Sequence, residues 1–300
     1  MHCYGQQTWG DILKRKSLFI GARIAKVGRP SIKAMLTVGI GFSLLVMALL
    51  FWFQPSRGTL ADFVCTRSFK IPEIPRNLSG ITYSPESKNL FLISNTPTRV
   101  YEVAREGRLI RQIDLEGFYD TEDIVFIEKQ TFAVIEEKRK TITIFQLFPE
   151  TKRVQYANCR HIQALPPKGV NTGLEGLTWD PDSRTFLIAN ENNPRAVYIV
   201  PYNSMGGAQE VPGLYSLPWI KLGDYAGIYF DNTSGRLLIL SRTSGKIKDY
   251  TLDGQEKGSL NLQRFIPGRV ATEGLTVAPG GELYVCSEPN IVFVFSRDQR

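Results

Sequence analysis

The sequence predicts an all-β protein, a five-bladed β-propeller, preceded by one transmembrane helix. Three observations lead to this prediction: a charge-free apolar segment near the N-terminus, a strand-forming motif that returns five times after it, and a turn and second strand that follow most copies. These features divide the chain into a basic cytoplasmic segment (1–34), a transmembrane signal-anchor helix (35–53), a linker (54–68) and a periplasmic propeller (69–300).

Charge is distributed unevenly along the chain. Residues 1–61 carry eight basic residues and one acid, Asp11, whereas residues 62–300 carry 28 of each sign. A nucleic-acid-binding protein needs its basic excess on the folded body, where it neutralises phosphates. The neutral body therefore predicts no nucleic-acid partner. A composition of 43% hydrophobic and 11% aromatic residues also excludes a disordered chain.

The apolar segment runs from Met35 to Phe53 without a charge. As a helix it spans about 28 Å, which matches the hydrocarbon core of a bilayer. Pro55 follows and ends the helix. A cleaved signal peptide is the alternative, but its apolar region is usually about 7–15 residues long and precedes a small-residue cleavage site. The nearest candidate, at residues 59–61, is a poor match.

Basic residues flank this segment asymmetrically. Seven precede it, and only Arg57 follows closely. Because Lys and Arg stay on the cytoplasmic side, we expect a cytoplasmic N-terminus and an exported C-terminal domain. In a bacterium this is a single-pass inner-membrane protein, with residues 35–53 in the membrane and the body in the periplasm.

The body contains five copies of one opening motif, typified by Leu174-Glu175-Gly176-Leu177-Thr178-Trp179. The spacings between successive anchor positions are 43, 53, 51 and 47 residues, at Gly80, Asp123, Gly176, Gly227 and Gly274. Turn residues and a second apolar strand follow in most copies, as in the sequence 180–190. A unit of this size matches a propeller blade. Six blades are the alternative, with a degenerate blade between Phe148 and Val170.

The SGIT and EGLT openings, the WDPDS turn, the FLIANEN strand and the preceding anchor together resemble the SdiA-regulated (YjiK-like) family. The resemblance covers the chain from about Phe69 to Phe295. It implies an exported bacterial five-bladed propeller, distantly related to NHL-repeat proteins, with a bound calcium ion. The second copy departs from the pattern with Asp123 in place of glycine, and the fourth with Ala226 where others have Glu or Ser.

Acids recur at equivalent positions of the copies. The first strand of each blade lines the central channel of a propeller, so Glu122, Glu175 and Glu273 are expected to face one another. The ends of the second strands are expected to supply a second ring: Asn95, Glu136, Asn190 and Glu288, with Glu137 and Glu191 adjacent and Arg242 at the fourth place. Like charges this close repel by about 4 kcal/mol per pair at 4 Å.

A hard cation relieves this repulsion, and Ca²⁺ accepts carboxylate and amide oxygens in tolerant geometry. The alternative is that the acids bond backbone amides or the arginine and bind no metal. Zinc and copper prefer Cys and His ligands, and the body has one histidine, His161, interpreted as a surface residue. No catalytic triad is indicated around it.

Three functions follow as hypotheses. The first is a calcium-binding module or scaffold with an unknown small-molecule or protein ligand at the channel. The second is a calcium-dependent hydrolase of lactones or phosphoesters at the same site. The third is an envelope protein-interaction platform without metal. A disulfide between Cys65 and Cys286 is conceivable as part of ring closure, although an apolar strand around Cys286 favours a core thiol.

Overall fold

The structure, a computed structural model, describes residues 59–164, 173–192, 194–203, 220–268 and 270–298. All of them belong to one compact unit, Gly58–Arg300. The predicted cytoplasmic segment and transmembrane helix lie outside the described residues. Within the described ranges, no helix is long and apolar enough to cross a membrane.

Five sheets built from antiparallel strands form, one for each copy of the motif, with one added parallel strand in blade 1, which confirms the five-bladed propeller. Blades 1 and 2 comprise β2 (Leu78–Ser84), β3 (Asn89–Ser94), β4 (Arg99–Val103), β5 (Leu109–Glu116), then β6 (Thr121–Glu128), β7 (Thr131–Glu136), β8 (Thr141–Gln146) and β10 (Arg160–Gln163). Blades 3 and 4 comprise β11 (Leu174–Asp180), β12 (Thr185–Asn190), β13 (Ala196–Pro201), then β14 (Gly227–Asp231), β15 (Arg236–Ser241), β16 (Lys246–Thr251) and β17 (Glu256–Asn261). Blade 5 comprises β18 (Thr272–Val277), β19 (Leu283–Ser287), β20 (Ile291–Arg297) and β1 (Phe63–Lys70).

The N-terminal strand closes the ring. β1 pairs antiparallel with β20, so the last blade takes its outermost strand from the start of the body. Leu60, in a short 3₁₀ turn at Leu60–Asp62, is 5% exposed and belongs to the core between blades 4 and 5. The stretch 54–68, expected to be a linker, therefore includes residues of the propeller. The unit Gly58–Arg300 contains its own closure and cores, so we expect it to fold on its own.

The stretch between Phe148 and Val170 adds strands to existing blades. Its strand β9 (Arg153–Gln155) pairs in parallel with β5 of blade 1, and β10 completes blade 2. A 3₁₀ turn, Tyr156–Asn158, joins them. The described part of this stretch, which ends at residue 164, thus holds no sixth blade.

Apolar residues fill the space between adjacent blades. The second strands are covered on both faces, as in β12, where every residue from Phe186 to Asn190 is buried. Each face contributes to a different cluster, because alternate side chains point to opposite faces of a strand. The clusters lie between blades 1 and 2, 2 and 3, 4 and 5, and 5 and 1.

The threonine of the opening motif joins neighbouring blades. The Oγ1 of Thr82 accepts the backbone N–H of Phe126 at 3.2 Å, and the Oγ1 of Thr178 accepts that of Phe230 at 3.0 Å. Thr276 accepts from Tyr83 at 3.2 Å in the same way. The motif therefore recurs because its threonine satisfies a buried amide of the next inner strand.

The anchor positions form the narrowest level of the channel. A Cβ on Gly274 would lie 3.0 Å from the Cα of Gly80, so only glycine fits where these inner strands approach. Asp123 occupies the same position in blade 2 and is 3% exposed. Its carboxylate accepts the backbone N–H groups of Ile124 and Leu177, both at 2.8 Å. The departure from glycine thus adds a hydrogen bond between blades 2 and 3.

The three cysteines in the described ranges, Cys65, Cys159 and Cys286, are free thiols, and the conceivable disulfide between Cys65 and Cys286 does not form. Cys65 packs against the cluster between blades 4 and 5, whereas Cys286 belongs to the cluster between blades 5 and 1. These clusters lie on opposite faces of the blade 5 sheet. Cys286 is fully buried, as expected for a small core residue.

Candidate metal centre

One end of the channel carries most of the predicted site residues, and we call it the channel mouth. It comprises the residue just before each anchor position, the residue two positions before that one, and the residue that follows each second strand. Glu122, Glu175 and Glu273 lie there at the starts of β6, β11 and β18. They are partly buried, and the predicted inner ring of acids is therefore brought together.

The second ring is formed by the residue after each second strand. The backbone N–H groups of Asn95, Glu137, Glu191 and Glu288 each donate to the carbonyl just before the neighbouring inner strand, at 3.1, 2.9, 2.7 and 2.9 Å. Arg242 holds the corresponding place in blade 4. In blades 2 and 3 the ring residue is therefore one position later than predicted, Glu137 and Glu191 instead of Glu136 and Asn190.

Glu136 and Asn190 lie in the strands and cap the loops that follow, and both are fully buried. Glu136 accepts the N–H of Tyr119 at 2.8 Å and the hydroxyl of Thr143 at 2.7 Å, and it pairs with Arg139. The Nδ2 of Asn190 donates to two carbonyls of the loop after β12, at 2.9 and 2.6 Å. A shift of one residue in a strand turns a side chain to the opposite face, so these two side chains leave the mouth.

Three carboxylates meet on one half of the mouth. Asp120, Glu122 and Glu137 each place an oxygen within 4.8 Å of the other two. The Nδ2 of Asn95 donates to Asp120 at 2.9 Å and to Glu122 at 3.0 Å. The Nζ of Lys138 lies 3.2 Å from Asp120 on the solvent side, where its side chain is 59% exposed. We call Asp120, Glu122, Glu137 and Asn95 the acidic half.

An arginine neutralises the acids on the other half. The guanidinium of Arg242 lies 2.8 Å from Glu273 and 3.0 Å from Glu191. We call these three residues the arginine half. Glu175 interacts electrostatically with acids of both halves, and Glu288 lies beside Glu273. The channel mouth thus holds acids whose charge is neutralised by Arg242 beside acids that lack an arginine partner.

Burial and mutual repulsion raise the carboxyl pKa values across the mouth. Burial and then Glu175 raise the pKa of Glu122 to about 9, and burial and then Glu191 raise that of Glu175 to about 8. Burial and Asp120 raise the pKa of Glu137 to about 7. Burial also raises the pKa of Glu273 to about 7, although Arg242 opposes the shift. The ring therefore resists full ionisation unless positive charge is added.

The donor set of the acidic half suits a hard cation. The three carboxylates are oxygen ligands of the kind that Ca²⁺ takes in flexible geometry, and the Nδ2 of Asn95 holds two of them in place. The histidine and the cysteines in the described ranges, whose residue types zinc and copper favour, lie outside this cluster. His161 is half-buried in the outer strand of blade 2, with its ring stacked on Tyr156 at a centroid distance of 4.1 Å. It is therefore less exposed than the predicted surface histidine.

Asp120 is the member of the acidic half that the sequence reasoning missed. It lies two residues before Glu122, just outside β6, and its side chain is 12% exposed. The sequence does carry a signal for it. At the position three residues before each anchor, only Asp120 and Asp224 are acidic among the five copies. Asp224 is used by the turn after β15, where it accepts the N–H of Thr243 at 3.0 Å.

The fold and its ring of acids define a five-bladed β-propeller with an acidic channel mouth. The chain matches the family described as SdiA-regulated over residues 60–296 and belongs to that family. This confirms the resemblance found in the sequence.

Solved structures are similar to this chain at low identity. The crystal structure of Myxococcus xanthus glutaminyl cyclase matches with a TM-score of 0.56 and 11% identity, over 79% of this chain and 96% of that chain. A chain of the nidogen/laminin complex matches with a TM-score of 0.48 and 14% identity, over 71% and 72%. Virginiamycin B lyase from Staphylococcus aureus matches with a TM-score of 0.44 and 13% identity, over 74% and 67%. The similarity to the cyclase concerns the fold alone.

Proposed function

We propose that this SdiA-regulated propeller binds one Ca²⁺ ion at the acidic half of its channel mouth and acts as a membrane-anchored binding module of the bacterial envelope. The observation that carries the proposal is the approach of Asp120, Glu122 and Glu137 to within 4.8 Å without an arginine among them. These carboxylates would hold the ion, and Asn95, whose Nδ2 donates to Asp120 and Glu122, would position two of them. The anchor and the periplasmic location rest on residues 35–53 and on the charge asymmetry around them.

The energetic argument compares the two halves. Each pair of like charges at about 4 Å costs roughly 4 kcal/mol at an effective dielectric of 20. Arg242 offsets this cost on its own half, whereas Lys138 reaches only Asp120 on the acidic half. A divalent cation would supply the missing positive charge. A small molecule or a protein segment would then bind at the channel mouth beside the ion.

Calcium titration of the full chain in a non-ionic detergent tests the proposal. The protein is stripped with a chelator, titrated by isothermal calorimetry and melted with Ca²⁺ or EDTA. We expect one site and a melting temperature that rises with Ca²⁺, because a ligand that binds only the folded state stabilises it. Absence of heat and an unchanged melting temperature would overturn the calcium proposal and leave a metal-free interaction platform.

A calcium-dependent hydrolase at the same mouth is the second candidate. The observation that favours it is Glu175, whose pKa burial and neighbouring acids raise to about 8, so that it keeps a proton at neutral pH as a general acid requires. Bound calcium would supply polarisation of a carbonyl or phosphoryl oxygen. Lactone and phosphoester panels, assayed with Ca²⁺ and with EDTA, test this candidate. Loss of turnover in Glu175→Gln with calcium binding retained would support it.

A further inference from the structure

A cavity of about 630 Å³ lies at the opposite end of the inner strands from the channel mouth. Its walls include the C-terminal halves of the five inner strands, represented by Ile81, Val125, Trp179, Phe230 and Val277. The narrow level of Gly80, Asp123 and their equivalents lies between the cavity and the mouth. This volume falls within the range of about 300–1,000 Å³ typical of small-molecule sites.

Three hydroxyl groups line the inner part of this cavity. Thr82, Thr178 and Thr276 accept backbone N–H groups of the following blades, and each residue is at least nine-tenths buried. Among the described residues, no acceptor is assigned to their own hydroxyl protons. A hydroxyl is both donor and acceptor, so these protons are available to a carbonyl or ether oxygen placed in the cavity.

A buried carboxylate lines the side of the cavity. Asp249 is 2% exposed, and its Oδ2 lies 2.7 Å from the Nη1 of Arg236. Its Oδ1 is buried and has no hydrogen-bond partner among the described residues. A buried acceptor without a donor costs about 1–3 kcal/mol. A ligand N–H or O–H at this oxygen would recover that free energy.

The charged side chains that line the cavity balance one another, which favours an uncharged ligand. Asp249 is already paired with Arg236, and the carboxylate of Asp231 is used by its own turn, which it joins through the N–H of Thr233 at 3.0 Å. Arg297 also lines the cavity, so acidic and basic side chains are balanced there. A cation or an anion would face no excess of opposite charge, whereas a neutral molecule loses little on transfer from water.

We propose that this cavity binds a neutral, mainly apolar small molecule that accepts a hydrogen bond from the threonine hydroxyls and donates one to Asp249. The apolar body packs on the aliphatic and aromatic walls, and the two polar groups fix its orientation. This site is independent of calcium and is separate from the channel mouth. It gives the propeller a second ligand of a different chemical class.

A pair of fluorescent dyes tests the proposal on the isolated Gly58–Arg300 unit, which avoids dye uptake by detergent. The probe is 6-propionyl-2-(methylamino)naphthalene, a neutral dye with one carbonyl and one N–H, and the matched dye is its dimethylamino analogue, which lacks the N–H. We expect saturable one-to-one binding with a blue-shifted emission, the same in Ca²⁺ and in EDTA. The dimethylamino dye should bind about fivefold more weakly, because it loses the hydrogen bond to Asp249.

Filling the cavity provides the second arm. Val277→Trp should weaken dye binding by about tenfold or more, whereas Phe148→Trp, at an exposed position outside the cavity, should leave it unchanged. Val277→Phe replaces the first variant if the indole lowers the melting temperature. Absence of saturable binding, or equal binding by the cavity-filled variants, overturns the site. Equal affinity of the two dyes overturns the hydrogen bond to Asp249, and loss of binding in EDTA overturns its independence from calcium.

Discussion

Arg242 distinguishes two halves of the channel mouth that are otherwise built alike. On its own half the guanidinium contacts Glu191 at 3.0 Å and Glu273 at 2.8 Å. On the acidic half, Asp120, Glu122 and Glu137 meet around the amide of Asn95, with one exposed lysine at the edge. The same blade positions thus produce an internal ion-pair network on one side and a cluster of oxygen donors on the other.

This difference shows how side-chain differences at equivalent positions can confine a binding site to one part of a ring of similar blades. Every blade contributes the same three positions, so the backbone geometry is shared. The side chains at those positions decide whether charge is balanced within the protein or by an added ion. We infer that the compensated half stabilises the mouth and that the uncompensated half carries the function.

The largest expected effect is on calcium affinity. Glu122→Gln removes a central carboxylate of the acidic half, and we expect the dissociation constant to rise about 100-fold, or about 2.7 kcal/mol. The matched variant Glu191→Gln, on the arginine half, should change it by less than about threefold. Isothermal calorimetry on the full chain measures both. Equal effects of the two variants would remove the distinction between the halves.

Stability in EDTA should fall as the pH rises. The pKa values of Glu122, Glu175, Glu137 and Glu273 are raised in the folded state, to about 9, 8, 7 and 7. Between the unfolded value near 4.5 and these values, the folded protein binds more protons than the unfolded chain, so each rise in pH destabilises it. We expect the free energy of unfolding to drop by several kcal/mol from pH 5.5 to 8.5, because four groups contribute and each pKa unit corresponds to about 1.4 kcal/mol.

Calcium and one variant sharpen this pH prediction. Saturating Ca²⁺ should flatten the decline, because the ion favours the ionised carboxylates that high pH produces. Glu122→Gln should flatten it even in EDTA, since the group with the largest shift no longer titrates. Melting curves at several pH values measure both effects. A melting temperature that rises with pH in EDTA contradicts the assignment of raised pKa values to the mouth.

Removing the arginine should make the two halves more alike. Arg242→Gln leaves Glu191 and Glu273 without compensation, and we expect a loss of about 1 kcal/mol in EDTA, because the pair is partly exposed. Calcium should then stabilise this variant more than the wild type and bind with a second, weaker equivalent. Arg153→Gln, which breaks an exposed pair with Glu116 outside the mouth, is the control. An unchanged stoichiometry and calcium response would mean that Arg242 does not determine the difference.

The smallest effect is expected at Asn95. Asn95→Ala removes the amide that bridges Asp120 and Glu122, and calcium affinity should fall about threefold to fivefold. Asn89→Ala is the matched control, because its amide donates to Glu102 in blade 1 at 2.7 Å, away from the mouth. Calorimetry on the two variants compares them. An Asn95→Ala protein with wild-type affinity would exclude the amide from the site.

The blade count could be predicted because each inner strand repeats the same chemistry. The glycine permits close approach at the axis and the threonine satisfies an amide of the next blade, so both residue types return in most copies. The closure strand β1 could not be found in this way. Phe63–Lys70 has no copy elsewhere, since it serves as an outer strand and its partner is at the other end of the chain.

The second ring shows where similarity between repeated sequence segments fails to predict which residue faces the channel mouth. Phe91, Phe132 and Phe186 begin similar pentapeptides, which end at the predicted ring residues Asn95, Glu136 and Asn190. In the structure Phe91 pairs with Thr82, whereas the partner of Val125, the equivalent residue in blade 2, is Ala133. The predicted ring residue is therefore one position too early in blades 2 and 3 and correct in the others. Only strand pairing reveals this, because both registers bury an apolar strand equally well.

A crystal structure of the Gly58–Arg300 unit grown with Ca²⁺, with the ion located by its anomalous scattering, tests the central claim most directly. The account predicts one ion about 2.3–2.6 Å from carboxylate oxygens of Asp120, Glu122 and Glu137, on the acidic half. It predicts that Arg242 keeps its contacts with Glu191 and Glu273. An ion on the arginine half, or a mouth that holds no ion at saturating calcium, would contradict it.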